Sequence, residues 1–465
     1  MSIMKYDIIV LGSGPGGYVA AIRAAQLGKT VAVVEKAELG GVCLNWGCIP
    51  TKALLKSAQV YNYAKHAADY GIQIDGDVKA DFPQIVQRSR GVAQNMSKGI
   101  EYLFKKNKIE HIQGFGKLIA GKKIEVTNES NTAVYEAEHI IIATGARSKE
   151  LANLPQDGTK IIGYKEAMTM ETLPKSMLVV GSGAIGTEFA YLYHTLGTEV
   201  TLVEYLPTIV PFEDEEVSKQ LARSFKKTKM KVMTSSSVES VDTSGENCLV
   251  KVETKKGIVE IEVDVVLSAV GVQTNIEGIG LEEIGIKTKN SKLIVDDYYR
   301  TNIEGYYAIG DIVHGQALAH VASREGIICV EKIAGKDTEI MDYNNIPACT
   351  YATPEIASVG MTEKQAEEAG KEIKIGKFPF MASGKASSSG NKDGFIKVIF
   401  DAKTNEWLGA HMIGDNVTEM IAEVVVARKL KATAEDIITS VHPHPTMSEA
   451  VMEAVAAAYD EVIHL

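Results

Sequence analysis

Cys43 and Cys48 are separated by Leu44-Asn45-Trp46-Gly47 and followed by Ile49-Pro50-Thr51-Lys52. Four intervening residues let a chain close a disulfide, and Pro50 stiffens the exit from the loop. A metal centre would need two more soft ligands, and the sequence has no second closely spaced cysteine pair. A structural disulfide would be out of place in a reducing compartment. The spacing therefore predicts a redox-active pair. The other three cysteines, Cys248, Cys329 and Cys349, lie in apolar surroundings and read as small buried hydrophobes.

A dithiol needs a base, because the thiolate is the attacking species. The candidate lies far along the chain, in His442-Pro443-His444-Pro445-Thr446-Met447-Ser448-Glu449. His444 is the residue that could exchange the proton. The spacing of Thr446 and Glu449 also fits a helix capping box, which alone would account for both residues. His442 reads as structural or surface-exposed.

These side chains must be positioned by something, and the sequence shows what through a repeat. Gly12-Ser13-Gly14-x-x-Gly17 recurs as Gly181-Ser182-Gly183-x-x-Gly186. At the same constant spacing, Leu27-Gly28 recurs as Leu196-Gly197 and Glu35 as Glu204. Each copy opens on an apolar β-rich run, 7–11 and 177–180, and passes through a helix-forming stretch. Each closes on a second strand, 30–34 and 199–203. One glycine-rich turn would be weak evidence, since such turns are common. Strand, turn, helix, strand and terminal acid together specify a dinucleotide-binding unit. The first glycine makes the turn and the second admits a pyrophosphate. The third lets the helix approach the sheet and aim its N-terminal N–H groups at phosphate.

Two such units imply two cofactors. The cysteine pair lies just beyond Glu35, so it belongs beside the first nucleotide. A flavin can join a nicotinamide to a dithiol, because it handles hydride on one ring face and a thiolate on the other. The first unit is therefore expected to hold FAD and the second NAD. Lys52 could favour the negative charge of reduced flavin and thiolate, or could be a solvated helix-surface lysine.

Segments 139–148 and 263–275 read as closing strands of the two units, and 306–311 as a further strand ending in Gly-Asp. Beyond about residue 346 short alternating strands appear, at 394–400 and 407–413, with helices at 419–429 and 447–459. The expected fold class is α/β: two Rossmann-like dinucleotide-binding domains plus a C-terminal α+β domain, which is read as a dimerisation or interface domain only through a family resemblance. The expected boundaries are 1–147 for the first part of the FAD domain and 148–275 for the NAD domain. The second FAD part spans 276–345 and the interface domain 346–465.

The chain has 465 residues, too many for one ordinary core. Its net charge of -11 argues against a nucleic-acid partner, which would require a basic face. No apolar run is long enough to span a membrane, and the N-terminal stretch lacks the pattern of a secretory leader. Cytoplasmic localisation is expected.

Together these motifs resemble the class I pyridine nucleotide–disulfide oxidoreductases, in particular their dihydrolipoamide dehydrogenase branch. Gly40-Gly41-x-Cys43-Leu44-Asn45 through Lys52, Ala143-Thr144-Gly145, Ala308-Ile309-Gly310-Asp311 and His444-Pro445-Thr446-x-Ser448-Glu449 carry the resemblance. Thr353-Pro354-Glu355-Ile356-Ala357-Ser358-Val359-Gly360 adds to it, and the likeness spans about residues 5–458. The resemblance implies that Cys43 exchanges with lipoyl sulfur and Cys48 contacts flavin. It implies that His444, polarised by Glu449, is the acid–base acting on the other subunit's dithiol, so that the protein is a homodimer. A cis His444–Pro445 bond is expected. Asp311 is similar to the residue that holds the flavin ribityl chain. Gly116, Thr144, Gly145 and Ala319 resemble positions near flavin, and Val238 and Gly271 positions near NAD. Glu188 resembles the acid that pairs with Lys52. The implied partners are lipoyl domains of 2-oxo acid dehydrogenase complexes or the glycine cleavage H protein.

Glu204 would accept the adenosine ribose hydroxyls and repel a 2′-phosphate, and no arginine lies between Thr187 and Ala222. NAD is therefore expected over NADP. The family often has an arginine and a proline where this chain reads Gly271-Val272-Gln273-Thr274-Asn275, so the contacts of that arginine are absent. A glutathione-reductase-like enzyme is the alternative within the family, and it would favour a phosphate-binding arginine pair. A non-catalytic flavoprotein would need none of Cys43, Cys48, Lys52, His444 or Glu449.

Overall fold

A computed structural model describes residues 4–129 and 131–465, so the first three residues of the N-terminal stretch read above lie outside it. Two compact units are distinguished: residues 1–53, 84–149 and 272–341, and residues 54–83, 150–271 and 342–465.

The first unit is built on a seven-stranded sheet. Strands Glu110–Gln113, Val31–Glu35, Met4–Leu11 and Thr132–Ile142 run parallel in that order. The early half of Thr132–Ile142 then pairs antiparallel with Lys123–Thr127, while its last residues pair parallel with Tyr306–Ala308. The parallel strands are rich in Val and Ile because both of their faces are covered. Alternation is visible in the packing. Ile8, Val10, Val31, Val33 and Ile141 enter one core, and Ile9, Leu11, Ala32, Val34, Ile140 and Ile142 the other.

Helix Pro15–Gln26 begins with proline at its first turn, where the missing N–H costs nothing. It lies so close to helix Ala319–Ile333 that a Cβ on Gly326 would come 2.8 Å from Gly16 O. The expected strand at 139–148 starts earlier and is interrupted: it ends at Ile142, and a short strand follows at Ala146–Ser148. Gly145, at φ 65°, makes the break. That short strand pairs antiparallel with Val272–Thr274.

The second unit contains the second copy. Strands Lys231–Met233, Glu199–Val203, Ser176–Val180, Val265–Ser268 and Ile161–Ile162 form a parallel sheet in that order. An antiparallel three-stranded sheet, Ser237–Asp242, Cys248–Thr254 and Gly257–Val263, accompanies it. The C-terminal part is a five-stranded antiparallel sheet ordered Ala348–Thr350, Glu355–Gly360, Trp407–Gly414, Phe395–Asp401 and Ile373–Pro379. Helices Val417–Lys429 and Glu449–Ala457 pack on it over one apolar core. A Cβ on Gly376 would come 1.8 Å from Ala454 O, so only glycine admits the second helix at that depth. The architecture is thus α/β with two dinucleotide-binding sheets and a C-terminal α+β part. Among the described residues no helix is long and apolar enough to cross a membrane.

Candidate active site

The redox segment is a short helix, Gly41–Trp46, a break at Gly47, and a long helix, Cys48–Lys65. A Cβ on Gly47 would lie 3.0 Å from Val42 O and 3.2 Å from Cys43 Cα, so the loop closes tightly there. Thr51 donates twice to Gly47 O, from its N–H at 3.1 Å and its hydroxyl at 2.7 Å. Cys43 is half-buried and Cys48 is exposed. Their mutual hydrogen bond, together with burial, raises the Cys43 thiol well above the ordinary range, while Lys52 pulls it down.

Both glycine turns have the same geometry. A Cβ on Gly12 would come 2.3 Å from Ala143 O, and one on Gly181 2.6 Å from Ala269 O. At Gly17 and Gly186 the clash would be with the first glycine's own carbonyl, at 1.9 Å in each case. Gly14 and Gly183 face open space. Neither following helix has a side-chain cap or an acid in its first turn. Helix Glu215–Lys227, by contrast, is capped by Asp214. Uncapped N–H groups beside an open glycine suit an anionic pyrophosphate.

The terminal acids match as closely. Glu35 Oε2 accepts from Ser13 N at 2.9 Å and Ser13 Oγ at 2.8 Å, and Oε1 accepts from Ala37 N at 2.9 Å. Glu204 Oε2 accepts from Ser182 N at 2.8 Å and Ser182 Oγ at 2.6 Å, and Oε1 accepts from Leu206 N at 2.8 Å. The serine oxygens accept in turn from Gly40 N and Val210 N, each at 3.2 Å. In the first copy this relay ends three residues before Cys43, and it ties the first glycine turn to the loop that carries the cysteine pair. The sequence reading passed over these serines, although their recurrence between the paired glycines was the available signal. Two tethered carboxylates with spare lone pairs fit ribose hydroxyls, and the donor sets fit FAD and NAD.

Among the other expected cofactor positions, Thr144 Oγ1 donates to Asn275 O at 2.6 Å, and Asn275 Nδ2 donates to Thr144 O at 3.0 Å. Burial raises the Asp311 carboxyl and Lys292 draws it back. Ala319 opens helix Ala319–Ile333. Gly116 lies in strand Phe115–Ile119, where a Cβ would strike Leu11 Cδ1 at 2.5 Å. Val238 turns its side chain into a core, and its carbonyl accepts from Asn153 Nδ2 at 2.8 Å. Gly271, at φ 112°, has an open Cβ direction. In the departing stretch Val272 is exposed and Thr274 is buried. Glu188 is 4% exposed within helix Ala184–Leu196, and its Oε1 accepts from Tyr351 N at 3.0 Å. Lys52 is half-buried at the start of the second turn of its helix.

The histidine pair divides clearly. His442 Nε2 lies 2.8 Å from Glu423 Oε1 and its Nδ1 lies 3.0 Å from Ser440 O, which marks it as a structural residue. His444 Nδ1 lies 2.8 Å from Glu449 Oε1, and the His444 side chain is 78% exposed. Glu449 Oε2 accepts from Thr446 N at 2.7 Å. Burial opposes ionisation of Glu449, but the Thr446 and His444 bonds outweigh it and lower its pKa. An ionised carboxylate only accepts, so the bridging proton sits on Nδ1 and Nε2 is left facing outward. The His444–Pro445 bond is cis. The expected capping box forms only by half. Thr446 Oγ1 donates to Pro443 O, and helix Glu449–Ala457 takes Ser448 as its cap position. Glu449 is thereby turned toward the histidine.

The sequence matches two family models, pyridine nucleotide-disulphide oxidoreductase over residues 6–326 and its dimerisation domain over residues 346–455. A dihydrolipoyl dehydrogenase of Rhizobium etli is 47% identical, with 99% of each chain covered. One of Bacillus subtilis is 42% identical, again with 99% of each covered. Among solved structures, LpdA of Mycobacterium tuberculosis aligns with TM-score 0.90 and 27% identity over 97% of this chain and 99% of that one. The HOCl-induced flavoprotein disulfide reductase RclA of Escherichia coli, in its Cu(II) complex, aligns with TM-score 0.88 and 25% identity, covering 98% and 99%. With family models matched over residues 6–326 and 346–455 and both glycine turns built alike, this chain belongs to the pyridine nucleotide-disulphide oxidoreductase family.

Proposed function

We propose that this chain is a homodimeric dihydrolipoyl dehydrogenase, which oxidises protein-bound dihydrolipoyl groups and reduces NAD. The observation that carries the reading is the Glu35–Ser13–Gly40 relay, which couples a dinucleotide turn to a neighbouring dithiol. Full-length similarity to dihydrolipoyl dehydrogenases supports the choice of substrate.

In the first half-reaction a lipoyl thiolate attacks Cys43 of the Cys43–Cys48 disulfide, and Cys48 leaves as thiolate. The second lipoyl thiol then displaces Cys43, so that the lipoyl ring closes and two electrons remain on the pair. His444 of the partner subunit takes up the released protons through Nε2, held in tautomer by Glu449. FAD, when bound, supplies the two-electron relay from this dithiol to NAD. Overall, dithiol and NAD give disulfide, NADH and one proton.

For the FAD site we assign Gly12, Gly14, Gly17, Glu35, Lys52, Gly116, Thr144, Gly145, Asp311 and Ala319. For the NAD site we assign Gly181, Gly183, Gly186, Glu204, Val238 and Gly271, with Glu188 as acidic counterpart of Lys52. The four-part division at residues 147, 275 and 345 belongs to the same reading. Lipoyl domains of 2-oxo acid dehydrogenase complexes or the glycine cleavage H protein would be the partners. The cytoplasm is the compartment that suits a cycling dithiol.

Anaerobic titration of the holoenzyme with dihydrolipoamide, followed by NAD, tests the proposal. Loss of one disulfide per chain and then formation of NADH is the expected result. Inertness to dihydrolipoamide with ready reduction by NADPH would assign another disulfide substrate and remove the role given to Glu204.

A further inference from the structure

Helix Phe82–Lys106 runs alongside the redox segment and grips it at four places in reversed order. Ser97 Oγ lies 2.7 Å from Asn45 Oδ1 and 2.7 Å from Leu39 O. The Arg90 guanidinium stands 4.0 Å from the centroid of the Trp46 ring. Ser89 donates to Pro50 O at 2.9 Å, and Arg88 donates to Ala53 O at 2.8 Å. Asn45 and Trp46 are the middle pair of the four residues between Cys43 and Cys48. Asn45 Nδ2 also donates to Leu39 O at 2.9 Å and Gly41 O at 3.0 Å, while Trp46 Nε1 donates to Glu38 Oε1 at 3.3 Å.

Arg90 deepens the case. One of its terminal nitrogens is buried with no hydrogen-bond partner among the described residues. Burial lowers the guanidinium's pKa and only the Glu38 charge raises it. An unmet buried N–H costs stability. What the guanidinium gains here is the electron-rich face of Trp46.

We propose that Arg90 and Ser97 are positioning residues for the redox pair. They hold Trp46 and Asn45 so that the two thiols stay in closing order after reduction. The inference rests on the reading of Cys43 and Cys48 as the redox couple. Closing a disulfide from a slack dithiol loop consumes conformational freedom, whereas closing a loop that is already held consumes little. Releasing the grip therefore favours the dithiol.

The test uses holoenzyme equilibrated anaerobically with mixtures of reduced and oxidised dithiothreitol. The protein disulfide takes two electrons and two protons from the reagent, which cyclises to its own disulfide. The remaining Cys43–Cys48 disulfide is quantified by alkylation and mass spectrometry. For Arg90→Met, Trp46→Val and Ser97→Ala, the equilibrium should move about three- to tenfold toward the dithiol. Tenfold corresponds to a potential about 30 mV more positive. Arg90→Met and Trp46→Val should be non-additive in the double variant, and Arg90→Lys should restore part of the shift. Variants that melt earlier but keep the equilibrium within about twofold of wild type would show a purely structural role and overturn the inference. Simple additivity would also overturn it. A wild-type pair that dithiothreitol cannot cycle would instead defeat the redox reading itself, and the inference with it.

Discussion

Lys397 Nζ lies 3.0 and 3.1 Å from the two carboxylate oxygens of Asp214, with the lysine side chain 1% exposed and the aspartate 2%. The lysine also reaches Glu363 at 2.5 Å and Glu216 at 3.2 Å. Asp214 in turn caps helix Glu215–Lys227 by accepting from Glu216 N at 3.0 Å. The pair pins the start of that helix to the C-terminal antiparallel sheet.

Lys397→Met should be strongly destabilising, because it leaves a buried carboxylate without its counterion. A loss of roughly 3–5 kcal/mol is expected by chemical denaturation. The exposed pair Lys219–Glu215 is the control, and Lys219→Met should cost no more than about 1 kcal/mol. Similar small losses for both would mean that the buried site admits water.

Glu213, next to Asp214, gives a pH signature. Its Oε2 is shielded from solvent and, among the described residues, has no hydrogen-bond partner. Burial raises its carboxyl to about 7; the Ser358 hydroxyl offsets part of the effect and the Asp214 charge adds to it. A raised folded pKa means stability that is fully present below about 4.5 and lost as pH rises through about 7. Glu213→Gln has no charge to acquire. The variant should gain on wild type between those limits, levelling off near 3 kcal/mol above neutrality. Asp214 behaves oppositely. Burial works against its charge, but Lys397 prevails and its pKa falls, so its contribution disappears only in acid. Denaturation midpoints of both proteins at pH 5 and pH 8 decide the matter, and a constant difference would refute the assignment.

The twin glycine turns predict separable losses. Gly17→Ala and Gly186→Ala each place a methyl 1.9 Å from a carbonyl oxygen, which the turn cannot absorb. Gly17→Ala protein should be purified without flavin. Gly186→Ala should remain yellow and lose at least about tenfold in NADH affinity, measured by equilibrium titration. Loss of both cofactors in both variants would show that the turns fold as one.

The outward Nε2 of His444 predicts an asymmetric defect. His444→Gln should slow reduction by dihydrolipoamide by about 10²–10⁴-fold, the range of general acid–base catalysis. Oxidation of NADH by an artificial acceptor should be nearly unchanged. Cys43→Ser should abolish dithiol turnover while retaining flavin. Rapid-mixing measurement of each half-reaction separates the steps, and equal slowing of both by His444→Gln would remove the histidine from its role.

Much of the fold was legible because the features that specify it are local. A glycine turn between an apolar strand and a helix declares itself within about thirty residues, and so does its repeat. The cysteine pair is equally local. His444 was harder to read, since Thr446 and Glu449 resemble a capping box until Thr446 is seen donating to Pro443. The Asp214–Lys397 pair could not be read at all. A lysine in a strand is ordinarily taken to face solvent, and its partner is distant in the chain. The grip on Asn45 and Trp46 was hidden for the same reason: Ser97 and Arg90 lie on a helix whose polar residues look like ordinary surface.

The chain has two tryptophans. One, Trp46, sits inside the redox loop against a cation. The other, Trp407, is 4% exposed in an antiparallel strand and stacked on Phe400 at 5.2 Å. Indole emission depends on neighbouring charge, thiols and solvent, so the first should brighten or dim with the state of the loop while the second holds steady. The molecule thus carries its own optical gauge of the dithiol and, within its C-terminal antiparallel sheet, the reference against which to read it.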